Sequence, residues 1–176
     1  MAIDPFMVGV ARLRRQPGAS IHCAVEGIFD PTGELDPTSP GESYVPEGEI
    51  VRFDGTLEAI SGGVVATGHV TGRWRGQCRR CATAVGGPID VIVKERCIEG
   101  VTSEDDEAYP LEGDLVDLGP VVRDAIVLEL PLAPLCKEDC QGLCASCGAD
   151  LNAGACDCEA PIDPRWATLD ALRDQD

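Results

Sequence analysis

Aromatic residues are scarce in this chain, at 4% of 176 residues, and histidine occurs only twice, at His22 and His69. A core short of large rings must be built from aliphatic side chains, and chemistry that relies on paired imidazoles has little to draw on. Basic residues are also few: 14 Lys and Arg stand against 31 Asp and Glu, a formal charge of −17. Such a chain repels phosphate backbones except where basic residues cluster locally. No stretch approaches the ~20 apolar residues of a membrane span, and the N-terminus lacks the charged, apolar and small-residue succession of a secretory signal. A cytoplasmic address is therefore expected. There is no serine nucleophile elbow and no pair of spaced histidines, and the acids fall in loop-like runs, so no enzyme is expected.

What the chain has in quantity is cysteine, ten residues, alongside 20 glycines and 13 prolines. In a reducing compartment this many cysteines read as metal ligands before they read as a disulfide framework. Their spacing supports that. Zinc prefers four tetrahedral thiolate or imidazole ligands, and two cysteines separated by two residues can present both sulfurs to one ion from a tight knuckle. Cys78 and Cys81 have that spacing; Cys136 and Cys140 are separated by three residues, Cys144 and Cys147 by two, and Cys156 and Cys158 by one. Eight ligands make two complete sites and imply two zinc ions with an architectural role. The expected pairing puts Cys78, Cys81, Cys136 and Cys140 on one ion and Cys144, Cys147, Cys156 and Cys158 on the other. A rival pairing groups Cys136, Cys140, Cys144 and Cys147, leaving the Cys78 knuckle to Cys156 and Cys158. Cys23 and Cys97 stand alone on strand-like runs and read as buried thiols acting as small hydrophobes. His22 and His69 have no ligand-spaced neighbour.

Period-two alternation marks the strands. From Val64 to Gln77, Val64, Ala66, Gly68, Val70, Gly72 and Trp74 fall on one face, with Thr67, His69, Thr71, Arg73, Arg75 and Gln77 on the other. Ile89 to Ile98 alternates likewise, so Cys78 and Cys81 are expected at a hairpin tip. Ile50 to Ile60 reads as another strand before the Gly62-Gly63 turn, and Ser20 to Glu26 as a weaker one. Val121, Val122, Ala125, Ile126 and Leu130 recur at helical spacing behind Gly119-Pro120, and Pro131 stops them. Asp163-Pro164 with Trp166, Leu169 and Leu172 suggests a short second helix. Glu104 to Glu107 reads as a solvated acidic loop, or as a mimic of a nucleic-acid backbone.

These elements predict an α+β fold: an antiparallel sheet of about four to six strands with one or two helices and a cysteine-rich zinc-knuckle C-terminal lobe. Residues 1–6, which run into a second methionine at Met7, read as an added leader. A sheet domain over residues 7–135, with a helix at about 119–130, precedes a zinc-binding lobe and short helix over 136–176.

The alternation, the knuckle Cys78-Arg79-Arg80-Cys81, the run Leu115-Val116-Asp117-Leu118-Gly119-Pro120 and the stretch Cys140-Gln141-Gly142-Leu143-Cys144 to Gly148 together resemble the YceD family of large ribosomal RNA accumulation proteins. Ile162-Asp163-Pro164-Arg165-Trp166 and Arg14-Arg15-Gln16-Pro17-Gly18 extend the likeness over most of the chain from about Met7. The resemblance implies a bacterial protein needed for normal accumulation or maturation of large-subunit ribosomal RNA, without an established catalytic activity.

Arg73, Arg75, Arg79 and Arg80 fall within eight positions free of acids. A four-thiolate zinc site carries −2, so two sites would take the chain to about −21, and arginines beside the sulfurs would compensate locally. Alternatively, they contact ribosomal RNA phosphates or an acidic partner surface. The favoured reading is a non-catalytic assembly protein that binds a ribosomal protein or a precursor large-subunit particle, with no small-molecule substrate; the acidic charge suits an escort for a basic protein. One alternative is a thiol redox protein, since the arginines would lower a thiol pKa, although a hairpin is the wrong setting for such a pair. Another is a zinc-ribbon nucleic-acid regulator, against which Cys136 to Cys158 contains one lysine and no arginine.

Overall fold

The computed structural model describes residues 4–29, 43–101 and 108–158. Strand β1 (Met7–Gly9) leads into a 3-10 turn (Leu13–Arg15) and then β2 (Ser20–Ile28). A two-residue strand β3 (Ser43–Tyr44) follows, and next come β4 (Ile50–Ile60), β5 (Gly63–Gln77) and β6 (Ala84–Ile98). Short strands β7 (Tyr109–Glu112) and β8 (Leu115–Asp117) run into the single described helix α1 (Gly119–Glu129).

The strands join in one sheet in the order β1-β8-β7-β6-β5-β4-β2, with β3 pairing on β5. This corrects the expected fold class. The described residues are dominated by strands in a curled half-barrel with one helix, not by a simple antiparallel α+β sheet with an appended cysteine lobe. The β6–β7 pairing, Cys97 opposite Tyr109, is parallel. Curling follows from the long strands' own twist and from facing glycines: Gly55 lies opposite Gly68, and a Cβ on either would collide with the other strand's backbone. The expected helix behind Asp163 and the acidic run Glu104 to Glu107 lie outside the described residues.

Alternation places the core where the sequence put it. Val51, Phe53, Leu57 and Ala59 of β4, Val64, Ala66 and Val70 of β5, and Ile89, Val93 and Cys97 of β6 are buried on the concave face. Helix α1 closes that face with Val121, Val122 and Ile126. Its start combines a proline in the first turn, whose missing N–H costs nothing there, with the Asp117 carboxylate, which accepts the Gly119 N–H at 2.8 Å. Phe6, assigned above to a leader, is buried in this core, and its carbonyl accepts the Leu118 N–H at 3.1 Å.

β4 pairs with β5 only as far as Arg52 opposite Thr71, whereas β5 and β6 continue pairing to Gln77 and Ala84. The sheet therefore narrows into an arm of β5 and β6, edged by the two residues of β3 opposite Gly76 and Arg75, with the Cys78 knuckle at its tip.

Candidate metal centres

The knuckle at the arm tip is a tight backbone loop. Cys78 N–H donates to the Thr83 carbonyl and Ala82 N–H to the Cys78 carbonyl, both at 2.8 Å, and Ala82 takes a left-handed φ of 59° to complete the turn. The chain leaving α1 passes beneath it: Arg79 N–H donates to the Pro134 carbonyl at 3.0 Å, and the Arg80 guanidinium donates to the carbonyls of Cys140 at 2.8 Å and Glu138 at 3.3 Å. This brings Cys136 and Cys140 against Cys78 and Cys81, with their four sulfurs within 4.8 Å of one another. Cys78, Cys81 and Cys140 are buried, and Val85 and Leu135 pack on them.

The second cluster is local. Cys144 N–H donates to the Ala149 carbonyl, and Gly148 N–H to the Cys144 carbonyl, each at 2.8 Å. These bonds fold the Cys144–Cys147 knuckle against Cys156 and Cys158, again with all four sulfurs within 4.8 Å. Two of these cysteines are exposed and two half-buried. The structure thus groups the eight cysteines in the first of the two pairings weighed from the sequence. Asn152 connects the clusters: its amide donates to Cys140 Sγ at 3.4 Å while its oxygen accepts the Gln141 N–H at 3.0 Å.

Sulfur separations test what such a cluster fits. Cys78 to Cys140 is 3.7 Å and Cys81 to Cys136 is 3.6 Å. A disulfide would need about 2.05 Å. Four sulfurs tetrahedral around one ion at about 2.3 Å lie about 3.8 Å apart, so the observed spacing suits a shared ion. Acidity points the same way. Burial opposes a thiolate at Cys78, but amide N–H groups of Cys136, Arg80 and Cys81 outweigh it and lower its pKa from 9.0 to about 6. Cys136, hydrogen-bonded to Cys140 and desolvated, is pushed up to about 12. In the second cluster the Cys147 and Ser146 amides lower Cys144 to about 6, while bonding to Cys147 and Cys144 raises Cys158 to about 11. Within each group, one thiolate therefore forms readily and holds another sulfur's proton in place. Full ionisation of four packed thiols needs a cation. Either cluster could hold a metal ion.

The remaining candidates fall elsewhere. Cys23 and Cys97 are buried on strands, and burial, followed by Glu95 and Asp117, pushes the Cys97 thiol up to about 11. His22 lies 3.0 Å from Asp54, and His69 lies 2.8 Å from Asp90, on the outer sheet face away from both clusters. Arg73, Arg75, Arg79 and Arg80 are all exposed. Arg80 is engaged with carbonyls, whereas Arg73, Arg75 and Arg79 make no ion pair among the described residues. Asn152 and Gly142 also belong to the site, and the sequence marks them only by their lying between ligand couples. No helix among the described residues is long and apolar enough to cross a membrane.

A curled, strand-dominated sheet carrying two four-cysteine clusters defines a class of small cysteine-clustered protein. The chain belongs to the YceD family: the family model described as large ribosomal RNA subunit accumulation protein YceD matches residues 66–173. It is similar to an uncharacterised protein of Mycobacterium tuberculosis, 34% identical over 94% of this chain and 80% of that one. The uncharacterised protein YlbN of Bacillus subtilis is 30% identical over 84% of this chain and 88% of its own length. A chloroplastic protein of Arabidopsis thaliana named large ribosomal RNA subunit accumulation protein YCED homolog 1 is 36% identical over 41% of this chain and 23% of its own. No solved structure matches the chain.

Proposed function

We propose that this chain is a non-catalytic, zinc-binding accessory protein of large ribosomal subunit biogenesis in the cytoplasm, supporting accumulation or maturation of large-subunit ribosomal RNA. The carrying observation is the pair of four-sulfur clusters in a member of this family. Zinc suits all-sulfur tetrahedral sites with no open coordination position, and such closed sites serve structure. Cys78, Cys81, Cys136 and Cys140 would hold one ion and Cys144, Cys147, Cys156 and Cys158 the other, the first stapling the chain that follows α1 to the tip of the arm. The partner is a ribosomal protein or a precursor large-subunit particle. An acidic body steers toward basic protein, while the arm arginines Arg73, Arg75 and Arg79, with Arg80 beside them, meet phosphate or an acidic surface.

Density-gradient sedimentation of cell extract tests this. Co-migration of the chain with precursor large-subunit particles, and a shortage of large-subunit ribosomal RNA in cells depleted of it, are expected. Absence from every ribosomal fraction together with normal ribosomal RNA would refute it. Association that survives nuclease treatment identifies a protein partner.

A further inference from the structure

The arm beyond Thr71 has two unlike faces. Residues opposite one another in an antiparallel pair project to the same side. One face therefore carries Trp74, Gly76 and Val85, which are turned toward the core and the first cysteine cluster. The other carries Arg73 opposite Pro88, Arg75 flanked by Tyr44 and Gly86, and Gln77 opposite Ala84.

This outer face is basic, exposed among the described residues and bordered by an aromatic ring. Residues 73–89 contain no acid. The next residue on β6 is Asp90, already 2.8 Å from His69 Nδ1. Beside the arginines β6 offers only Ala84, Gly86 and Pro88, so no long side chain of that strand stands over the guanidinium groups. A Cβ at Gly86 would lie 3.6 Å from Arg75 Cγ and within 2.7 Å of the Trp74 carbonyl, so only glycine leaves that floor open. Tyr44, with 47% of its surface exposed, lies next to Arg75.

We propose that this face binds a single-stranded segment of RNA, with Arg73 and Arg75 on its phosphates and the Tyr44 ring stacked on one of its bases. The inference rests on the reading that the chain works on precursor large-subunit particles, and it names what the arm meets there. Charge selects a polyanion, since three arginines without an ion pair among the described residues project from an otherwise acidic molecule. The ring selects among polyanions. An exposed aromatic beside planar guanidinium groups, over a floor of small residues, accommodates unstacked bases. Duplex RNA keeps its bases inside the helix and leaves Tyr44 nothing to stack on. An acidic peptide would use the arginines and ignore the ring.

Fluorescence anisotropy with the full chain tests this, using a labelled single-stranded oligoribonucleotide, the same sequence annealed into a duplex, and a poly-glutamate peptide, at several salt concentrations. The single strand is expected to bind most tightly. Tyr44→Ala should weaken it about tenfold without changing the salt slope, and Tyr44→Phe should restore it. Arg75→Gln should flatten the slope by about 0.7. Circular dichroism and metal content of each variant, unchanged from the parent, exclude misfolding as the cause. Equal binding of strand, duplex and peptide, or indifference to Tyr44→Ala, overturns the proposal. If RNA binding fails while nuclease-resistant association with precursor particles persists, only the arm's assignment falls; if both fail, the accessory reading falls with it.

Discussion

Gly142 and Gly148 are matched positions from which the packing of one knuckle on the other can be measured. Both have left-handed backbone, with φ of 77° and 72°. Alanine at either position costs about 1 kcal/mol for that conformation alone. The two differ in what a Cβ would meet. At Gly148 nothing lies within 4 Å, whereas at Gly142 the Arg80 carbonyl oxygen is 2.9 Å away. That oxygen accepts the Leu143 N–H at 3.1 Å, and displacing it forfeits a hydrogen bond worth about 1 kcal/mol net. Gly142→Ala should therefore cost about 2 kcal/mol, and Gly148→Ala about half of that. Since Gly142 lies between Cys140 and Cys144, the additional loss should fall on metal retention and weaken it about fivefold relative to Gly148→Ala. Titrating each zinc-loaded variant against a chromophoric chelator, with urea unfolding in parallel, reads both quantities. Equal effects at the two glycines, or a larger one at Gly148, would refute the idea that the knuckles support each other through the Arg80 carbonyl.

Mass spectrometry of the chain purified without added metal should find two zinc ions, falling to one in Cys78→Ser and in Cys144→Ser and to none in the double variant; folded protein with no metal would return the cysteines to redox chemistry. Ile126→Ala removes a fully buried side chain between α1 and the sheet and should cost about 3 kcal/mol by urea unfolding, with metal content unchanged. The Cys97 thiol, raised by burial from 9.0 to about 11, is more stable protonated in the fold than in the unfolded chain. Its contribution is complete below about pH 9 and is lost as pH rises toward 11, so the alkaline fall in urea midpoint should be shallower in Cys97→Ala than in the parent.

Long elements were legible in the sequence and short ones were not. β4, β5 and the second half of β6 show alternation because one face is buried along their whole length, and α1 shows its 3.6-residue stripe between a proline start and a proline stop. The first half of β6, Ala84 to Pro88, reads as a loop because two glycines and a proline carry no strand preference. Pairing to Arg73 through Gln77 holds it extended regardless. β1, β7 and β8 span three or four residues, too few for any period, and owe their geometry to neighbours distant in sequence. The parallel pairing at Cys97 and the burial of Phe6 escaped for the same reason. Within the candidate site, ligand spacing was local information and could be read directly. Tyr44 and Asn152 matter only through strand register and loop contact, which single-residue chemistry does not encode.

Cys78 and Cys140 lie 62 positions apart, and the chain between them forms β6, β7, β8 and α1. An ion shared by their cluster would close that stretch into a ring, with the arm tip and the end of the helix sewn together. β2 and β4 at one margin and β1 at the other would lie outside the ring. Under load or heat they could peel away while the ring stays shut, so the molecule should come apart from its margins inward, and its helix should be the last element to leave the sheet.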